Sequence, residues 1–158
     1  MIDKEGEMMR YLSVIKVGLC FMLSAAASAD GSAVEFLKSA KQLPTNPPFS
    51  EAVRAGDTLY LSGQLGIDPS TGKLAPGGIK AEAKQTMENI KRTLARHGYG
   101  MEHLVKCTVM LADIAEWGEF NEMYRPFFTD NYPARSAFAG SGLALGARVE
   151  VECLAFIG

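Results

Sequence analysis

IKAEAKQTMENIKRTLARHGYGMEHLVKCTVML, residues 79–111, changes its apolar period once, and that change decides the fold class. From Ile79 to His97 the apolar residues Ile79, Ala83, Met87, Ile90 and Leu94 recur every three or four positions with charged residues between them, and Gly98 follows as a stop. This is the pattern of an amphipathic helix. From Leu104 to Leu111 the period becomes two, with Val105, Cys107, Val109 and Leu111 on one side, as in a strand with one buried face.

Moving outward toward the C-terminus, Trp117, Phe120, Tyr124 and Phe127 mark a second helix that Pro126 bends or ends, and the simplest reading of this aromatic stripe is core. Arg135–Ala139 reads as a short strand, 140–146 as a loop and Ala147–Phe156 as a last strand. In that strand Val149, Val151, Cys153 and Ala155 face one way, and Glu150, Glu152, Leu154 and Phe156 the other. Toward the N-terminus, Gly77-Gly78 closes a surface loop that contains the turn Asp68–Gly72. Before it, Ser50–Ala55 and Thr58–Ser62 form a hairpin around Gly56, preceded by the proline-marked loop 44–48 and a short strand at Val34–Lys38. The string predicts an α+β fold, a mixed β-sheet with two helices packed on one face. The other face is not fully polar and needs cover, which predicts a homo-oligomer.

A chain of 158 residues with 47% hydrophobic content is the size of one globular domain. Its 16 Lys+Arg and 18 Asp+Glu are interspersed, so nucleic acid is not an expected partner. Residues 1–29 read as a secretory signal peptide: Arg10 and Lys16 precede an apolar stretch from Val17 to Ala29, with small residues placed for cleavage before Asp30. An uncleaved membrane anchor is the alternative, but the stretch is short for a span. The expectation is a secreted or periplasmic domain over 30–158, with no membrane attachment after cleavage. Cys107 and Cys153 read as two buried core thiols, since a bridge would require them to lie on neighbouring strands. With no Cys-x-x-Cys pair and only His97 and His103, no metal site is expected.

The glycines of 140–146 suggest a phosphate loop, but no helix follows and no lysine is present, so that reading is rejected. His97 and His103 read as surface residues near element ends. Arg135 and Glu150 each sit in a strand beside apolar residues, where a charge needs a partner or solvent. They either pair with each other or line a pocket, where an Arg fork would hold a ligand carboxylate and a Glu would orient or deprotonate water.

Four runs, Pro48-Phe49-Ser50-Glu51-Ala52-Val53, Leu59-Tyr60-Leu61-Ser62-Gly63-Gln64, Pro133-Ala134-Arg135-Ser136 and Val149-Glu150-Val151-Glu152, with Asn121-Glu122-Met123-Tyr124, resemble the Rid (reactive intermediate deaminase, RidA/YjgF-like) family in order and spacing. The resemblance covers nearly all of 30–158. It implies a chorismate-mutase-like fold assembled as a homotrimer with three clefts between neighbouring subunits. It also implies hydrolysis of reactive 2-imino acids to 2-oxo acids and ammonia, with no cofactor. Carried onto this chain, Arg135 grips the substrate carboxylate and Glu150 positions and activates the water. Gly63 and Ala137 line the cleft, Asn121 helps close it, and Phe49 borders it.

Two positions depart from the resemblance. Phe49 stands where many members carry Tyr, which removes a hydroxyl contact, and Ala137 stands where many carry Cys. The 140–146 loop also differs, which leaves substrate choice open. The competing readings are a non-catalytic module that binds small carboxylates such as 2-oxo acids in the same cleft, and a structural surface protein. A binder needs the Arg but has less use for the Glu.

Overall fold

The computed structural model describes residues 34–38 and 47–158, so the expected signal peptide lies outside the described residues. Among the described residues, nine short strands and two α-helices follow one another within the unit Gly31–Gly158. They are β1 (Val34–Leu37), β2 (Ala52–Ala55), β3 (Thr58–Leu61), β4 (Gln64–Leu65), β5 (Ile67–Asp68), β6 (Lys73–Leu74), α1 (Gly78–Arg96), β7 (Leu104–Leu111), α2 (Trp117–Tyr124), β8 (Ala134–Ala139) and β9 (Val149–Phe156). The main sheet runs β1-β2-β3-β9-β7-β8, with β4 also paired to β9. Every pairing in it is antiparallel except β7 with β8. That parallel pair is joined by a crossover through α2, as parallel neighbours require.

Both helices pack on one face. The predicted stripe Ile79, Ala83, Met87, Ile90 and Leu94 of α1 is buried with Leu59, Leu61, Val109, Leu111, Val149 and Val151 of the sheet and Phe120 and Tyr124 of α2. Each of the Ile, Leu, Val and Met side chains among these contributes roughly 1.5–3 kcal/mol when fully buried. α2 ends at Tyr124, and Pro126 falls in the short 3-10 turn that follows, where a missing N–H is tolerated. The β2–β3 hairpin closes on Gly56-Asp57, because Ala55 pairs with Thr58 and Gly56 takes a φ of 57°.

The structure corrects the sequence reading in three places. Val105 does not face the core: a bulge between Leu104 and Lys106 lets Leu104 take the inner position and turns Val105 out to solvent. Cys107 and Cys153 are not free thiols but a disulfide, since they pair directly across β7 and β9 and both face inward. The surface loop read around the turn Asp68–Gly72 holds a two-stranded ribbon, β5–β6. The Asp68 carboxylate accepts from the backbone N–H and hydroxyl of Ser70 at its turn, which holds that carboxyl below its usual range.

The face away from the helices is apolar in patches. Register and alternation place Phe36, Val53, Tyr60 and Leu154 in one row across β1, β2, β3 and β9, with Phe138 and Phe156 on the same side. Phe36, Tyr60, Phe138 and Phe156 are exposed.

Candidate active site

The same alternation divides the predicted site residues into two groups. Arg135 pairs with Cys107 and Ala137 with Val109, both inward-facing partners, so both side chains leave β8 on the helix side. Glu150 pairs with Met110 and lies between the buried Val149 and Val151, so it leaves β9 on the opposite side. Strand β7 runs between them, and Glu150 is level with Phe138, three residues beyond Arg135. The expectation that the two charges could simply pair is therefore not met.

Arg135 rests among the rings of α2. Its Cζ lies 4.7 Å from the ring centre of Tyr124, 5.6 Å from Phe120 and 5.9 Å from Trp117. Trp117, Phe120 and Tyr124 surround it because i, i+3 and i+7 share a helix face. Among the described residues no carboxylate stands within salt-bridge distance of this guanidinium. Glu116, next to Trp117, is held by Arg148: the Arg148 Nε–H donates to both carboxylate oxygens at 3.0 Å, and Nη2 donates to Oε1. That partner raises the Arg148 pKa above its ordinary value. Burial pushes the Tyr124 phenol up to about 12, although the Arg135 charge pulls it down, so the ring beneath the guanidinium stays neutral. Asn121 is buried on the same helix.

The second group centres on Glu150. Gly63 packs so closely on the Glu150 carboxylate that a Cβ there would overlap Oε1. The Ser62 hydroxyl donates to the Ser50 carbonyl at 2.6 Å and the Ser62 N–H to the Glu51 carbonyl at 3.0 Å. These bonds hold the segment of Phe49, itself exposed, beside Ser62–Gly63. One group thus offers a free fork of cationic donors, and the other a carboxylate next to bare backbone.

Residues 39–157 match the family described as endoribonuclease L-PSP. The chain belongs to the L-PSP (YjgF/RidA) family. It is 44% identical over 111 residues to 2-iminobutanoate/2-iminopropanoate deaminase of Mus musculus, covering 70% of this chain and 82% of that protein. The protein of the same name from Bos taurus is 41% identical over 124 residues, 78% of this chain and 90% of the relative. Among solved structures, RidA from an Antarctic Psychrobacter superposes with a TM-score of 0.72 at 36% identity, covering 78% of this chain and 99% of that one. The L-PSP fold is the mixed sheet with two helices on one face that the sequence predicted.

Sequence reasoning missed several features of this L-PSP domain. Trp117, grouped with the core, is 47% exposed, whereas Phe120 and Tyr124 are buried. The i, i+3, i+7 spacing was visible, but its target, an arginine on a strand further along, was not. His97 and His103 are not simple surface residues. His97 Nε2 is buried 3.4 Å from Glu51, and burial, with the Arg96 charge, lowers the His97 pKa against the pull of Glu35. His103 packs edge-on against Tyr99, and its Nδ1 meets the Gly100 N–H at 3.1 Å. A groove lined by Lys84, Lys91, Tyr99, Met123 and Phe128 contains none of the predicted site residues. Among the described residues no group of three His, Cys, Asp or Glu side chains is placed to hold a metal ion.

Proposed function

We propose that this L-PSP protein hydrolyses 2-imino acids to 2-oxo acids and ammonia in clefts between the subunits of a homotrimer. In each cleft Arg135 comes from one subunit, with Asn121 and Ala137, and Glu150 from its neighbour, with Gly63 and Phe49. The observation that carries this reading is the separation of Arg135 and Glu150 to opposite faces of one subunit, each next to its own predicted companions. Two half-sites that cannot meet within a chain are completed when the apolar outer face is covered by another copy. The named deaminase relatives support the chemistry.

In this reaction the planar Arg135 fork binds the substrate carboxylate with paired charge-assisted hydrogen bonds. That fixes the adjacent C=N carbon over Glu150. The Glu150 carboxylate takes a proton from water as the water oxygen bonds to that carbon, and the C=N electron pair moves to nitrogen. That proton passes to nitrogen to give the neutral amino alcohol; Glu150 then takes the hydroxyl proton and delivers it to the same nitrogen, so that the C–N bond breaks with its electron pair leaving on ammonia as the oxygen forms the new C=O. No electrons are gained or lost, and orientation supplies much of the rate. RNA cleavage, which the family description names, is not our reading, because the balanced charges offer no basic tract for a phosphate backbone.

The layout of residues 1–29 and the Cys107–Cys153 bond together support export to an oxidising compartment. The imines would there come from enzymes that oxidise amino acids outside the cytoplasm. Deaminase activity found only in the unprocessed cytosolic form would rule this placement out.

The test of the reaction couples an amino-acid oxidase to the protein with semicarbazide as a trap for free imine. Wild type suppresses semicarbazone formation. Glu150→Gln lowers turnover by roughly 10² to 10⁴-fold with little loss of 2-oxo acid binding, and Arg135→Ala loses both. Binding without turnover in wild type would favour the carboxylate-binding module instead.

A further inference from the structure

The three rings around Arg135 are not equivalent. Phe120 and Tyr124 are sealed into the core, where burial of their area accounts for them. Trp117 lies on the same helix face, with its ring the farthest of the three from the guanidinium, and 47% of it is exposed. It is the chain's single tryptophan. Its ring stands 5.9 Å from the guanidinium carbon of Arg135, which has no carboxylate within salt-bridge distance among the described residues. Resting on the reaction proposed above, we infer that Trp117 is the specificity wall of the site and that the preferred substrates are 2-imino acids with apolar or aromatic side chains.

The geometry follows from the substrate's own size. A carboxylate seated in the Arg135 fork puts the substrate's Cα about as far from the guanidinium as the Trp117 ring centre, 5.9 Å, with the side chain just beyond it. An alkyl or aryl side chain covers exposed indole there and removes apolar area from water. A methyl group is too small to cover much of it. A second carboxylate is disfavoured there, and the same segment holds carboxylates of its own, Asp113, Glu116 and Glu119. Of these, Glu116 is engaged by Arg148, and Asp113 accepts from the Ala115 N–H at 2.9 Å. An acidic side chain lying along the exposed indole gives up hydration of its charge against an apolar surface.

The experiment uses the full chain and the semicarbazide trap, with imines generated by oxidases from phenylalanine, leucine, alanine and glutamate. Wild type shows kcat/KM about tenfold or more higher for the phenylalanine and leucine imines than for the alanine and glutamate imines, the scale of discrimination an apolar contact gives. In Trp117→Ala the phenylalanine-to-alanine ratio falls about tenfold, and in Trp117→Phe it takes an intermediate value. An equal loss on all four imines in Trp117→Ala would show that Trp117 only steadies Arg135, and would overturn the inference. So would a wild type that treats the four alike, a result that stands even if Trp117→Ala fails to fold. A wild type inactive on every imine would instead remove the reaction itself, so the two failures are distinct.

Discussion

At Gly63 a single hydrogen in place of a methyl group leaves room for the Glu150 carboxylate. The atom that a Cβ would strike is the far end of a flexible side chain, so Gly63→Ala moves Glu150 aside without unfolding the sheet. We expect turnover to fall by roughly tenfold or more, as displacement of a positioned base should, while the thermal midpoint stays near wild type. Steady-state kinetics beside a melting curve separates the two effects. Tyr124 makes a different prediction. Its phenol is raised from 10.0 to about 12 in the folded protein, so the folded state holds that proton more tightly than the unfolded chain. The associated stability is fully present below pH 10 and is lost as pH rises from 10 toward 12. Urea unfolding at pH 8 and pH 11 should therefore show wild type losing more stability than Tyr124→Phe over that interval. At neutral pH the variant should match or slightly exceed wild type, because the buried hydroxyl has no hydrogen-bond partner among the described residues. Arg135 and Glu150 were legible as candidates from their motifs, and the roles proposed for them rest on that resemblance. The ring cage was not, because aromatic residues at helical spacing look alike whether they face a core or a charge.

Between elements, the disulfide is the feature with the largest expected energy. It closes a loop of 46 residues between β7 and β9, and the chain-entropy estimate for that length is about 4 kcal/mol, with measured bridges ranging from roughly 0 to 5. Replacing both cysteines with alanine should lower the urea midpoint with almost no effect on the fold, and reductant should reproduce the loss only in conditions that open the core, since Cys107 and Cys153 are buried. A midpoint unchanged by the double substitution would show that the bridge contributes nothing net. The strands themselves were readable from period-two alternation, and α1 from its stripe and Gly98. The pairing of Cys107 with Cys153 was not readable, because strand order is set by contacts far apart in sequence. Val105 was misassigned for a related reason: one inserted residue at a bulge reverses the inside–outside alternation on one side of it, and because Leu104 and Val105 are both apolar the sequence does not show where the phase changes.

For the molecule as a whole, the outer sheet face and the divided site make the same demand. Phe36, Tyr60, Phe138 and Phe156 are exposed on the face that also carries Glu150, while Arg135 sits on the other side of β8, an edge strand. The sequence signalled the need for cover through the apolar residues of both faces, but it could not say which half of the site each face carries. A cyclic trimer in which one copy's Glu150 face meets the next copy's β8 edge satisfies both demands, and its stoichiometry can be tested. Take Arg135→Ala subunits, which keep Glu150, and Glu150→Gln subunits, which keep Arg135, both inactive alone. In any mixed trimer, two of one kind and one of the other, a single neighbouring pair brings an intact Arg135 to an intact Glu150. Random assembly of equal amounts should then restore about a quarter of wild-type turnover, from one working cleft in about three-quarters of the trimers. Refolding the two variants together, against each refolded alone, checks this with the semicarbazide trap. A site built within one subunit predicts no recovery at any mixing ratio, because every subunit then carries a defect in its own cleft.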